Sequence, residues 1–337
     1  MFEYDCKIKN QEKNQEVIFS FDYIQLEKNE IEKREEPGQK PGQKKEQNEL
    51  KKIDNFSLNE IMISERLMNI KGWQKYTSPI LYSSLVSGLG KYLFVKEKMD
   101  FSLLSFFYYL KEKKERREKV EGTIEGSIKD HKKTFVQILC IYNSLLKVLE
   151  WTELVGLVSL SCNLNNIVFN RDKMGHVKLA DFSHSFFIKD TVDLSAIMQI
   201  NEFTPLGLKV LHYMNVNKCV SLSSNNIQEI CSEFIEGLKR VGPDLFPLEF
   251  LQEVEKKCIF SLQSLINKEK ERITVELLKG SSCWDHFSMS IMFLIMLKVI
   301  DQDTNINSNT NKFIREFTSI LLNNILNRQK NEELTFC

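Results

Sequence analysis

The chain has 337 residues, which is enough for one large domain or for two lobes, since a domain commonly holds roughly 100–200 residues. Basic and acidic residues are equal at 46 each, so the formal net charge is zero and bulk charge gives no reason to expect binding to nucleic acid or to an anionic membrane. A hydrophobic fraction of 42% with 27% charged residues excludes a chain that is disordered throughout. The 23 phenylalanines against 13 glycines and 6 prolines favour helices over a glycine-rich β architecture.

Three features indicate a cellular compartment. The first residues carry Glu3 and Asp5 without an apolar stretch, which differs from a secretory signal. The eight cysteines contain no C-x-x-C pair, so reduced thiols are expected rather than a zinc site or a disulfide framework. The longest apolar run, Met289 to Leu297, is shorter than the ~20 residues that span a bilayer. We expect a cytoplasmic protein without a membrane segment, with the nucleus as an open alternative, and we predict a buried core helix at Met289 to Leu297.

The first hundred residues alternate strand signals with a charged segment. Val17 to Ile24 is rich in β-branched and aromatic residues and predicts a strand within residues 1–26. Residues 27–50 are charged, contain two Pro-Gly-Gln-Lys repeats and carry too little apolar surface to order themselves, so they predict a disordered linker or insertion. Within residues 51–100 we predict a helix at 58–71 capped by Ser57 and a strand at Tyr92 to Val95.

The remainder, residues 101–330, is predominantly helical in pattern. We predict a helix at Phe101 to Leu110, then a charged insertion at about 111–133. A long helix follows at 134–154, where apolar residues recur at spacings of three and four, namely Phe135, Ile138, Leu139, Tyr142, Leu145, Leu146 and Leu149. Residues 166–169 and 177–180 are short β runs with Gly175 between them, which predicts a hairpin. The fold class is therefore α+β, with a small N-terminal lobe that contains β-strands and a larger, mainly helical lobe.

Three segments, in order, resemble the protein kinase family. Asn166-Ile-Val-Phe matches the end of the kinase catalytic loop, and His176 to Ser183, read as H-V-K-L-A-D-F-S, matches the strand that runs into D-F-G. Trp284 to Ser290 is similar to the helix that begins D-x-W-S-x-G. The resemblance covers Phe56 to Lys298 and, more weakly, the strand near Val17. A second insertion, at about 207–283, gives a weaker resemblance to kinase-like proteins of large DNA viruses. A kinase-like fold is the expectation that follows.

Most of the catalytic residues that the resemblance implies are replaced. The pattern H-R-D-x-K-x-x-N falls on residues 159–166, with Ser161 at the position of the catalytic base and Asn163 at that of the lysine. A serine hydroxyl is not a base at pH 7, and asparagine cannot supply the positive charge that steadies the phosphoryl group. No glycine precedes Gly38, and the strand near Val17 contains no lysine. The glycine-rich loop and the nucleotide-binding lysine are therefore expected to be missing.

Polar residues match four positions that the family retains. Asn166 and Asp181 match its metal-binding pair, although both could be inherited architecture, with Asn166 capping the loop. Glu60 and Glu65 are alternatives for the helix glutamate; Glu60 has the kinase-like apolar spacing, and an exposed surface role is open for either. Asp285 matches a structural aspartate that bonds catalytic-loop backbone.

Two main functions follow from this pattern. The first is a catalytically inactive kinase-like protein, or pseudokinase, which binds or scaffolds another, unidentified protein. The alternative is an atypical serine/threonine protein kinase that uses Asp181 and Asn166 to hold metal-ATP. A third interpretation is a structural helical protein with an accidental match. We expect no resident cofactor, with weak Mg-ATP binding left open, and neither nucleic acid nor membrane as a partner.

Overall fold

The computed structural model describes residues 6–9, 16–19, 56–86, 91–118, 124–170, 173, 175–190, 200–242, 244–301 and 308–327. The segment 27–50, predicted to be a linker, lies outside the described residues. Within the described ranges, no helix combines the length and the apolar content needed to cross a bilayer. Free thiols are found at six cysteines of this part of the chain, namely Cys140, Cys162, Cys219, Cys231, Cys258 and Cys283.

Two antiparallel hairpins lie toward the N-terminus. Strand β1 (Cys6–Lys9) pairs with β2 (Glu16–Phe19), so a strand near Val17 is confirmed, whereas β1 was not predicted. Strand β4 (Ile80–Val86) pairs with β5 (Lys91–Lys96). β5 is one residue longer at each end than the strand predicted at Tyr92 to Val95. β2 also contacts β5. These strands form the small β part of the fold.

A second group of strands places the loops that matter below. Four short strands form one sheet in the order β3-β9-β8-β6, made of β3 (Thr77–Ser78), β6 (Phe101–Ser102), β8 (Ile167–Phe169) and β9 (Lys178–Ala180). β8 and β9 are antiparallel, with Ile167 opposite Leu179, which confirms the predicted hairpin. Strand β7 (Leu157–Val158) pairs antiparallel with β10 (Phe186–Phe187). Because β7 precedes residue 159 and β10 follows residue 185, this pairing holds the segments 159–166 and 181–185 side by side.

Helices make up most of the described chain, which is a mixed helix and sheet protein. They are α1 (56–68), α2 (Trp73–Tyr76), α3 (Leu103–Glu118), α4 (Ile124–Val155), α5 (Leu206–Val216), α6 (Ser224–Val241), α7 (Leu248–Leu262), α8 (Lys270–Lys279), α9 (Trp284–Asp301) and α10 (Ser308–Asn327).

Several helix boundaries differ from the predictions. Ser57 lies inside α1 rather than at its cap, and α1 ends before a turn in which Gly72 has φ = 88°. The charged stretch 111–133, predicted to interrupt the helices, is itself helical at 111–118 and 124–133. The reason is that lysine, glutamate and arginine are good helix formers, so a charged run need not be a loop. The predicted helix at 134–154 is confirmed as the C-terminal part of α4.

Helix α9 lies at the centre of the helical part. From Met289 to Leu297 every residue is at most 2% exposed, except Ile295, which is half-buried. The predicted burial is therefore confirmed, and it follows from a helix that is apolar on all faces. α9 packs against α3, α4 and α10, with the ring of Phe293 edge-on to Tyr142 of α4 at 5.0 Å between centroids. The first turn of α9 carries Asp285, so the rigid core positions that carboxylate.

Candidate functional site

Two loops meet where the predicted site residues lie. The loop 159–166 leaves β7, and the loop 181–185 leads into β10. The Ser185 hydroxyl donates a hydrogen bond to the Ser159 carbonyl oxygen at 2.8 Å, and the Ala180 N–H donates to the Asn166 carbonyl oxygen at 2.7 Å. Both contacts join residues that are far apart in sequence, so the hairpin and the β7–β10 pair together define the site.

Asn166 and Asp181, the predicted metal pair, are in contact. Asn166 Nδ2 lies 3.3 Å from Asp181 Oδ2. Ser183 donates to Asp181 Oδ1 twice, from its N–H at 3.1 Å and from its hydroxyl at 2.7 Å. Asp181 has φ = 61°, a left-handed conformation that is uncommon for residues other than glycine. The loop thus holds this carboxylate in one defined orientation.

These contacts bear on metal binding. A carboxylate offers about four acceptor positions, and three are already taken by protein donors at Asp181. A Mg²⁺ ion, which prefers a full shell of oxygen ligands, would have to displace Ser183 or turn the Asn166 amide. In the part of the chain that the structure describes, no group of three His, Cys, Asp or Glu side chains is placed to hold a metal ion. The donor set therefore fits a metal ion poorly in this conformation.

Ser161 occupies the predicted base position and is buried. Its side chain is 1% exposed, and its Oγ has no hydrogen-bond partner among the described residues. The neighbouring Cys162 is also buried, and burial, with a smaller contribution from the negative charge of Asp285, raises the pKa of its thiol well above the usual value. Cys162 is therefore a neutral thiol rather than a nucleophilic thiolate. Neither residue can accept a proton at neutral pH.

Asp285 holds the backbone of the loop 159–166. Its Oδ2 accepts a hydrogen bond from the Ser159 N–H at 2.9 Å, and the Leu160 N–H is a further donor to this carboxylate. Burial raises the pKa of Asp285 to about 6, against the opposing effect of these two N–H groups. Leu160 has φ = 51°. Asp285 thus contacts backbone groups of a strained turn immediately before Ser161.

Glu60 and Glu65, the alternatives on α1, are in different environments. Glu65 is exposed, whereas Glu60 is 7% exposed and its Oε1 lies 2.7 Å from Lys96 Nζ. Burial is the largest cause that raises the pKa of Glu60, and the negative charge of Asp181 also raises it, while Lys96 and the Phe182 N–H lower it. Of the two candidates, only Glu60 lies next to the loop that carries Asp181.

Lys96 was not predicted as a site residue. The nucleotide-binding lysine was expected on the strand that precedes α1, whereas Lys96 ends β5, which follows α1 in the chain. The strand period carried a signal for Lys96, because alternate strand residues share a face. Lys96 therefore lies on the side of Phe94, opposite the buried Val95. Its Nζ lies 5.9 Å from the centroid of the Phe94 ring. A lysine therefore pairs with the buried glutamate, but from an unexpected strand.

Asn59 is a second residue that the sequence did not single out. Its Nδ2 donates to the carbonyl oxygens of Ser183 at 2.8 Å and of Ser185 at 3.0 Å. One turn earlier, the ring of Phe56 lies 4.9 Å from that of His184. Through these contacts and Glu60, α1 docks directly on the loop 181–185.

A small polar cavity lies between the two loops, the start of α5 and the start of α9. Its volume is about 60 Å³, and it is lined by Leu160, Ser161, Cys162, Asn163, Asn166, Asp181, His184, Asn201, Phe203, Thr204, Pro205, Leu208, Trp284, Asp285 and Ser288. The lining contains two carboxylates and neither lysine nor arginine. We call it the Ser161 cavity.

No known protein family matches this chain, and no curated protein matches it. Among solved structures, it is similar to a rhoptry kinase from Toxoplasma gondii, with 11% sequence identity, a TM-score of 0.34, and coverage of 93% of this chain and 76% of that chain. The described residues form a mixed helix and sheet fold.

Proposed function

We propose that this chain is a protein kinase-like protein that does not transfer phosphate and that acts by binding another protein. The support is the order of the three kinase-like segments together with the contacts that they make. Asn166 lies beside Asp181, and Asp285 accepts hydrogen bonds from the backbone before Ser161. Fold alone does not imply function, so the chemistry of the site decides the activity.

One observation carries the proposal, namely that the position of the catalytic base holds Ser161, which is buried. A general base must lie within hydrogen-bond reach of the proton that it accepts, and it contributes on the order of 10²–10⁴-fold. The carboxylates that line the cavity are Asp181 and Asp285. Asp181 is engaged by Ser183 and Asn166, and Asp285 by the loop backbone. Phosphoryl transfer depends on positioning and electrostatic stabilisation by several groups together. The loss of the base and the loss of the phosphate-binding groups therefore act as a unit and do not simply add.

The test is transfer of labelled phosphate from ATP to generic protein substrates and to the chain itself, with Mg²⁺ and with Mn²⁺. We expect no incorporation above that of the Asp181→Ala variant. We also expect Ser161→Asp to stay inactive, since the added carboxylate would act alone, and the first strand region, before Gly38, contains no glycine to bind phosphate. Incorporation by the wild type that Asp181→Ala loses would overturn the proposal.

The pair of Lys96 and Glu60 favours a second candidate, an atypical serine/threonine protein kinase that holds metal-ATP through Asp181 and Asn166. In that case Lys96, which Glu60 positions beside the Asp181 loop, would supply the positive charge toward the phosphates. His184, which lines the same cavity, is then the residue to test as the base. Phosphate transfer that is lost in Lys96→Met and in His184→Gln, and is kept in the exposed control Lys98→Met, would favour the kinase.

A further inference from the structure

The Ser161 cavity is small and enclosed by both loops. At about 60 Å³ it exceeds the roughly 10–15 Å³ that one water molecule needs on this measure. It therefore has room for a few waters or for one compact polar group. Its walls come from four separate parts of the chain, which are the loop 159–166, the loop 181–185, the residues before and in α5, and the first turn of α9.

The carboxylates of the lining make it negatively charged. Asp181 and Asp285 both face the cavity, and no lysine or arginine lines it. None of the ion pairs formed between described residues includes either carboxylate. An ion pair in a partly buried site is screened less than one at the surface. The cavity therefore favours a cation over an anion.

A second, independent observation indicates a ligand. Ser161 lines the cavity and is 1% exposed, yet its Oγ has no hydrogen-bond partner among the described residues. Buried hydroxyl groups are nearly always hydrogen-bonded, and an exception calls for an explanation. The Oγ atom is itself covered as the structure stands, so a donor group in the cavity would supply the missing bond once the Ser161 side chain rotates about its Cα–Cβ bond toward it.

The free acceptor positions decide which cation fits. Three of about four positions at Asp181 and two of about four at Asp285 already accept hydrogen bonds from the protein, which leaves about one free position at Asp181 and about two at Asp285, on different walls. A metal ion needs a shell of oxygen atoms around one point. A guanidinium group instead directs several N–H donors outward in a plane, and it stacks on aromatic rings. Phe203 and Trp284 provide such rings in the lining.

We infer that the Ser161 cavity binds the guanidinium group of an arginine side chain presented by a partner protein. The inference deepens the proposed binding function and rests on it. In the bound state the guanidinium donates to the Asp181 carboxylate from one edge and to the Ser161 hydroxyl from another. Lysine fits less well because its ammonium is a point charge without the planar fork.

The experiment is isothermal titration calorimetry of the full chain with the peptide acetyl-Gly-Gly-Arg-Gly-Gly-amide. Versions that carry citrulline, which is neutral and nearly isosteric, or lysine serve as ligand controls. We expect the arginine peptide to bind about tenfold more tightly than the citrulline peptide, because charge-assisted hydrogen bonds are roughly twice as strong as neutral ones. The lysine peptide should lie between them.

Matched variants locate the binding site. Ser161→Ala and Asp181→Asn should weaken arginine-peptide binding severalfold. Ser281→Ala is the control, because Ser281 is also a fully buried serine with an unpartnered Oγ, but it does not line the cavity. Thermal melting of each variant checks that it is folded.

Three results would overturn the inference. They are the absence of measurable binding, equal affinity for the arginine and citrulline peptides, and equal effects of Ser161→Ala and Ser281→Ala. Failure of the proposed function is a separate result, since it would appear as phosphate transfer in the labelled-ATP assay. The two assays can therefore fail independently.

Discussion

The two buried carboxylates of the site, Glu60 and Asp285, are stabilised in different ways. Glu60 pairs with the side chain of Lys96, whereas Asp285 accepts hydrogen bonds from backbone N–H groups. In both, burial is the main cause of a raised pKa. In each case the donors hold the carboxylate in one position. The stability of the protein should therefore respond differently when the partner of Glu60 or the charge of Asp285 is removed.

The first residue-scale prediction concerns Lys96→Met. It leaves Glu60 buried without its cation, and since Lys96 is 24% exposed, the cost should lie between those of exposed and buried pairs, at roughly 1–3 kcal/mol of unfolding free energy. Urea unfolding measures it, with Lys98→Met as the exposed control. The double variant Lys96→Met/Glu60→Gln should be less destabilised than the sum of the two single variants. Additive effects would mean that the pair contributes nothing.

The second residue-scale prediction is a pH dependence. The pKa of Asp285 is about 6 when folded, against an ordinary value of 3.8, so between these values the folded state binds more protons than the unfolded state. Stability from this group is therefore fully present below pH 4 and is lost as the pH rises toward 6 and above. The loss should be about 3 kcal/mol, at 1.36 kcal/mol per pKa unit.

The measurement for Asp285 is urea unfolding of the wild type and of Asp285→Asn at pH 4, 5, 6 and 7. Asparagine does not titrate, so the wild type should lose stability relative to the variant as the pH rises. A difference that stays constant, or that grows in favour of the wild type, would contradict a raised pKa at Asp285.

At the scale of elements, α9 is the helix on which the site is built. Its apolar faces are buried against α3, α4 and α10, and its first turn carries Asp285. Helix α1 contacts the loop 181–185 through Asn59 and Glu60. The central helix α9 therefore holds one loop of the site, and α1 holds the other.

The prediction at this scale is the cost of a cavity in α9. Phe293 is fully buried, so Phe293→Ala should lower the unfolding free energy by about 3–5 kcal/mol. Phe313→Ala is the matched control, because Phe313 is 60% exposed on α10 and its truncation should change stability by about 0.5 kcal/mol or less. Thermal melting compares the two. Similar melting temperatures for both variants would mean that α9 is not central.

At the scale of the whole molecule, the prediction is that Mg-ATP does not stabilise the chain. A ligand at 100 times its Kd would add about 2.7 kcal/mol to the folded state, so a nucleotide that binds would raise the melting temperature. We expect no such rise, because the Asp181 carboxylate is engaged by Ser183 and Asn166. Differential scanning fluorimetry with and without Mg-ATP measures it. A rise in the wild type that Asp181→Ala lacks would contradict the prediction.

Features that depend on neighbours in the chain could be predicted from the sequence. The hairpin of β8 and β9 follows from two β runs around Gly175, and the burial of Met289 to Leu297 follows from a helix without a polar face. The resemblance of the loop motifs also predicted that Asn166 and Asp181 form a pair. In each case the signal lies within a few turns or strand residues, where periodicity and turn chemistry decide the structure.

Contacts between distant segments could not be predicted and follow from the way the chain packs. Lys96 and Glu60 are 36 residues apart, and Asn59 is 124 residues from Ser183, so no local pattern links them. The unpartnered hydroxyl of Ser161 and the cavity around it also depend on how four segments pack. The physical reason is that a side chain's partner is set by where its element docks, which depends on the packing of the whole core rather than on the residues beside it.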